Sequence, residues 1–243
     1  GAYKVGTIDA GRAITYVRDP NYWGAKPDAG VVVNVGRYNF DQIKYVYYQN
    51  PEVAFEGFKS GEYFFRAESK ARTWATGYNF PAVKAGMIIK AQIANNNPVP
   101  MQAIVMNLRR PIFQDIRVRQ AMTLAYDFEW LNKTMFYGQY ERLQSFFHGS
   151  ALAATGTPTP QELAVINPLL PDLEPIQRQA VLSDWQAPKS TGDGFNRDNL
   201  LKARELLLQA GFKYQNMKLY QPNGQPAKLE FLSTDAKNAR IVL

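Results

Sequence analysis

The chain has 243 residues, 46% of them hydrophobic and 20% charged, which suits one large globular domain or two modest ones and excludes a disordered or collagen-like polymer. Its 28 basic and 21 acidic residues leave a net charge of +7, yet acids interrupt every basic cluster, so charge alone does not name nucleic acid as a partner. Cysteine is absent, which rules out disulfides, thiolate metal sites and a cysteine nucleophile, and no apolar run reaches the length of a transmembrane helix.

The opening reads as two strands, AYKVGTID and RAITYVRD, separated by Gly11 in a hairpin. A turn-rich stretch, PNYWGAKPDAG, follows. FDQIKYVYYQ then spaces Ile43, Tyr45 and Tyr47 two apart, the pattern of a half-buried strand. Asn50 and Pro51 fit an N-cap and first helical position, with Val53, Ala54 and Phe58 on one side of a short helix that Gly61 ends. Glu62 to Arg66, MIIKAQI and MQAIVMN are further strand candidates.

From Asp115 the pattern changes to an amphipathic helix, with Val118, Met122, Ala125 and Leu131 on its apolar side, expected to run to about Phe136. Residues 149–198 are rich in Pro, Thr, Ser and Gly. Thr159, Pro160 and Glu162 announce one short helix there by a capping box, and the remainder through STGDGFN reads as a wrapping loop. Asn196 is expected to cap a last helix that stops at Gly211, followed by a hairpin of MKLYQ and AKLEFLS around PNGQP. The chain ends on ARIVL, and both ends read as cuts through a larger protein.

Several motifs together resemble the oligopeptide/dipeptide/nickel-binding proteins that serve ABC importers, and specifically their YejA-type oligopeptide-binding branch. Gly1, Tyr3 and Val5 match a G-x-Y-x-V strand, and Asp19, Pro20, Tyr22, Trp23 and Gly24 match N/D-P-x-Y-W-G. Gly61, Glu62, Tyr63, Phe64 and Phe65 resemble G-E-Y-D-F, with Phe64 in place of the usual acid. Arg66, Ala67 and Glu68, then Trp74 to Pro81, resemble RAE…WATGYDFP; Met106 to Ala121 resembles FNTRRPLFxDxRVRxAL. AYDFEWLNKTMFYGQYER and ARELLLQAGF are similar to later blocks of the same branch.

The resemblance implies a mixed α/β (α+β) fold, part of a two-lobed, type II periplasmic-binding-protein architecture truncated at both ends, whose lobes close on a peptide by hinge motion. Residues 1–104 would be the later part of domain I and 105–243 the first part of domain II, with a hinge strand near 101–107. It implies a monomeric, periplasmic, non-enzymatic carrier with an oligopeptide ligand and an inner-membrane ABC permease as partners, no cofactor, no metal and no nucleic acid.

Peptide capture needs strand-like pairing to the ligand backbone and roomy pockets for its side chains. Asn107 could bridge the ligand backbone or fix the hinge turn. Arg66 could meet a ligand carboxylate and Glu68 an amine, or the two could pair with each other. Trp74 could form an apolar wall or belong to the core, and Ser145 and Phe147 could line the cleft floor. His148 stands without cysteine or an acidic cluster and makes a poor metal or triad site. A basic aromatic nucleic-acid binder and a carrier of a non-peptide solute on the same scaffold are the alternatives.

Overall fold

The computed structural model describes residues 1–26, 36–94 and 97–233, so the terminal ARIVL lies outside the described residues. The chain divides into two compact units, Gly1–Ser69 with Gly77–Lys90, and Lys70–Thr76 with Ala91–Leu243.

In the first unit, β1 (Tyr3–Asp9) and β2 (Ala13–Arg18) form the expected hairpin, Val5 opposite Tyr16 and Asp9 opposite Ala13. Gly11, at φ +75°, supplies the left-handed turn residue. β3 (Gln42–Val46) adds antiparallel to β2 with Tyr16 opposite Ile43, giving the order β1-β2-β3. The period-two face of β3 exists, but Tyr45 and Tyr47 remain more than half exposed on it.

The α1 helix (Pro51–Lys59) starts where expected, with Asn50 Oδ1 accepting from the Glu52 N–H at 2.8 Å. It stops at Gly61, φ +81°, where Glu62 N–H donates to Gly57 O and Gly61 N–H to Phe58 O in a Schellman arrangement. Of the expected packed side, Phe58 is buried and Ala54 half-buried, whereas Val53 is exposed and Gly57 is buried in its place. Phe55 stacks edge-on against Tyr78 at 5.2 Å, and Phe58 packs with Tyr63 at 5.4 Å. Glu62 to Arg66 is not a strand. The Tyr63 hydroxyl donates to Ala54 O and Glu62 accepts from Tyr48, so the segment folds back on α1 and finds no ladder partner among the described residues. After α2 (Pro81–Lys84), MIIKAQI starts by bonding Met87 and Ile88 N–H back to Ala82 O, and neither it nor MQAIVMN in the second unit joins a ladder among the described residues. A strand needs a neighbour to take its main-chain hydrogen bonds, and alternation in sequence does not supply one.

In the second unit, Asp115 caps α3 (Ile116–Ala125) through the Arg117 N–H. The helix does not continue to Phe136. It breaks at Tyr126, and Asp127 starts α4 (Phe128–Thr134) by accepting from the Trp130 N–H at 3.0 Å. A second side-chain cap inside the apolar pattern outcompetes continuation, because it satisfies a helix-terminal N–H locally. α5 (Pro160–Ile166) carries the expected Thr159–Glu162 capping box. The presumed loop beyond it also contains a 3-10 turn (Asn167–Asp172) and α6 (Pro175–Leu182), started by a Glu174–Gln177 box.

α7 (Arg197–Gln209) packs on α3, where Val118, Ala121 and Ala203 are buried and the two alanines permit close approach. Asn196 is not a side-chain cap. At φ 45° and buried, it donates through Nδ2 to Leu124 O at 2.9 Å, tying the start of α7 to the end of α3. Beyond Gly211, β4 (Lys213–Gln215) pairs with β5 (Lys218–Tyr220), and the PNGQP turn brings Ala227 back to Leu219 through one main-chain bond. Among the described residues the expected partner AKLEFLS forms no strand; that bond and the Tyr220–Pro226 bridge just before it are what it shares with β5, and its Glu230 pairs with Arg110 at 3.6 Å.

Candidate ligand-contacting sites

In the first unit the sequence places Arg66 and Glu68 one residue apart in an extended segment, and the structure brings them together as an ion pair. Arg66 Nε lies 3.2 Å from Glu68 Oε2, with the two side chains 15% and 2% exposed. Arg66 Nη1 also donates to the Tyr63 hydroxyl at 2.9 Å, its guanidinium lies 5.2 Å from the Phe55 ring centroid, and Tyr78 donates to Glu68 at 3.3 Å. Burial draws the Arg66 pKa down most strongly, but the bonds to Tyr63 and Glu68 outweigh it and hold the proton more tightly than usual. Burial pushes the Tyr78 hydroxyl up, and the Glu68 charge adds to it. The arrangement is a hydrogen-bonded cluster of Tyr63, Arg66, Glu68 and Tyr78.

In the second unit Asn107 caps a turn: Oδ1 accepts from the Arg109 N–H and its carbonyl from the Arg110 N–H, both at 3.0 Å. Just before it, Met101 to Met106 belongs to no helix or strand, and none of its main-chain groups is bonded among the described residues. Ser145 and Phe147 come together in one loop, where Ser145 Oγ accepts from the N–H groups of Phe147 and Ala154 at 3.2 Å. Phe147 projects, more than half exposed, and the neighbouring His148 carbonyl accepts from Val99 N–H. Trp74 is half-buried in a π-helical turn (Thr73–Gly77), its N–H donating to Lys70 O. Of the basic residues that follow the Asn107 turn, Arg117 holds Asp115 and Arg119 donates to the carbonyls of Phe113 and Gln114, whereas Arg109 and Arg110 are exposed.

Sequence reasoning missed one feature of this unit, a cleft of about 710 Å³ lined by α4, residues 137–144 and Lys189. Its size is that of a small-molecule pocket. The aromatic and basic content of FYGQYER could have drawn attention to one wall; Lys189 comes from a segment nearly fifty residues away and carries no local signal.

Residues 1–241 match the family described as bacterial extracellular solute-binding proteins, family 5 Middle. Among curated relatives, YejA of Escherichia coli (strain K12) is 39% identical over 244 residues, covering 100% of this chain and 39% of that protein. The "Probable peptide-binding protein YejA" of Agrobacterium fabrum is 38% identical over 246 residues, with the same coverage of 100% and 39%. The chain thus spans about two fifths of the length of these curated relatives. Among solved structures, NikA from Brucella suis in complex with Fe(III)-EDTA superposes with a TM-score of 0.62 at 21% identity, over 100% of this chain and 40% of that one. AppA from Bacillus subtilis in complex with a nonapeptide gives 0.50 at 18% identity, over 93% and 34%. These likenesses establish the fold as part of a type II periplasmic binding protein. With nearly every residue matched, the chain belongs to the family 5 bacterial extracellular solute-binding proteins, in its YejA-type branch.

Proposed function

We propose that this chain is part of the substrate-binding component of an ABC importer that captures oligopeptides in the periplasm and passes them to an inner-membrane permease. One observation carries the peptide reading. Met101 to Met106, ending at the Asn107 turn, belongs to no helix or strand and its main chain makes no hydrogen bond among the described residues. A peptide ligand can add to such a segment as a strand, since each free N–H can donate to, and each free C=O accept from, the ligand main chain. The name of the Agrobacterium fabrum relative supports the same ligand class. Phe147, on the loop whose neighbour bonds Val99, offers an adaptable apolar surface for ligand side chains.

The test is a thermal melt with and without a pool of di- to pentapeptides. Ligand at about a hundred times its dissociation constant adds roughly 2.7 kcal/mol. For a chain of this size that raises the midpoint by about 5–10 °C. A rise with peptides and none with the free amino acids supports the reading; a rise with a non-peptide solute alone replaces it.

A further inference from the structure

The cleft in the second unit is built from three walls. One is α4, contributing Phe128, Asn132 and Lys133. The second is the segment after it, pinned by a two-way bond: Asn132 Nδ2 donates to Tyr140 O at 2.7 Å and Asn132 Oδ1 accepts from Tyr140 N–H at 3.1 Å. Tyr137 reaches the lining from a left-handed backbone, φ 55°, followed by Gly138 at φ 71°. A bulky residue holds that conformation only where its surroundings over-determine it, and such positions gather at binding sites.

The third wall is a strap, residues 187–199, fastened to the helices by side-chain bonds. Gln144 accepts from Ala187 N–H at 2.8 Å, Glu129 from Ser190 N–H at 3.0 Å, and Asp127 from the Ser190 hydroxyl at 2.5 Å. Asn199 donates to the Lys189 carbonyl at 2.9 Å. These bonds hold the Lys189 backbone at the cleft edge while its ammonium stays free of ion pairs among the described residues.

Lys133 and Arg142 line the same space and make no ion pair among the described residues either. The Arg142 guanidinium lies 5.1 Å from the Tyr126 ring centroid and 5.4 Å from that of Phe128, cation–π contacts that use none of its N–H donors on an acceptor oxygen. Of the two carboxylates in the lining, Glu129 is engaged by Ser190, and Glu141 is 80% exposed with His148 Nε2 at 3.8 Å.

Three cations without an ion pair among the described residues, one of them a guanidinium held beside two aromatic rings, line a space with two tyrosines. We infer that this cleft is a binding site, contained within the second unit, for a small carboxylate carried on a flat apolar body. Arg142 receives the carboxylate through its edge donors, Lys133 and Lys189 supply the surrounding positive charge, and Tyr137 and Tyr140 cover the apolar part.

Titration calorimetry with N-acetyl-L-tyrosine and its neutral analogue N-acetyl-L-tyrosinamide tests this. The expected result is saturable binding of the acid, with the amide at least tenfold weaker. A Lys133→Gln/Lys189→Gln double variant alters two exposed side chains and is expected to keep the parent melting midpoint while binding the acid at least tenfold more weakly. Equal binding of acid and amide, a double variant that binds as the parent does, or no saturation of the parent by the acid overturns the assignment.

Discussion

The Arg117 guanidinium on α3 donates from Nη1 to the main-chain carbonyl of Gln209, the last residue of α7, at 2.8 Å across 92 positions of sequence. The same group grips the Asp115 cap, Nη2 to Oδ2 at 2.5 Å and Nε to Oδ1 at 3.0 Å. One side chain therefore completes the start of one helix and the end of another, satisfying a carbonyl that α7 leaves without a partner of its own.

That grip makes stability depend on pH in a defined direction. The Arg117 hydrogen bond holds the Asp115 carboxyl below the usual carboxylate range, so the unfolded chain takes up this proton first as pH falls. The contribution is present in full above pH of about 4, the ordinary aspartate value, and is lost as the pH drops through the depressed one. Melting midpoints of the parent and Asp115→Asn, followed from neutral pH downward, are expected to differ at pH 7 and converge at the acid end.

The Arg66–Glu68 cluster is expected to respond to removal of one partner far more than of both. Arg66→Met removes one charged partner from a carboxylate that is 2% exposed and should cost about 1–3 kcal/mol in urea unfolding. Adding Glu68→Leu should recover much of that loss, because no buried charge then remains. A double variant as unstable as the sum of its parts would show that the pair acts through packing alone.

Gly57 sits in α1, where alanine ordinarily favours a helix by about 0.5–1 kcal/mol. Here a Cβ would run into the Tyr48 hydroxyl and lie 2.9 Å from Cζ of that ring, while the hydroxyl is held by Glu62 at 2.6 Å. Gly57→Ala is therefore expected to destabilise by about 1–3 kcal/mol, and by less in a Tyr48→Leu background. Equilibrium unfolding of the two single variants and the double measures that coupling.

The strap is expected to loosen when its hydroxyl is removed. Asp127 already has one buried carboxylate oxygen, Oδ2, without a hydrogen-bond partner, so the Ser190 hydroxyl on Oδ1 matters more than an average one. Ser190→Ala should cost about 1–3 kcal/mol. Hydrogen exchange should quicken at the N–H groups of Ser190 and Gly192, the latter now donating to the Ser190 oxygen at 3.0 Å.

Much of the molecule was legible in its sequence wherever a signal was local. The Asn50–Pro51, Asp115 and Thr159–Glu162 starts and the Gly61 and Gly211 stops are each completed within a few residues, and each element begins or ends there. The family was legible for a related reason, since its motifs run contiguously through almost the whole chain. The α3–α4 break was written in the same code, but Asp127 lay inside an apolar period that continued past it. What the tertiary structure alone decided depends on partners distant in sequence: that MIIKAQI and MQAIVMN have strand patterns without a ladder among the described residues, that Tyr78 joins the Arg66–Glu68 pair, that Asn196 bonds Leu124 instead of capping α7, and that Lys189 meets Lys133 and Arg142 at one cleft. Caps and stops spend their hydrogen bonds on near neighbours and so follow from sequence, whereas ladders, buried pairs and clefts exist only once the chain has brought remote groups together.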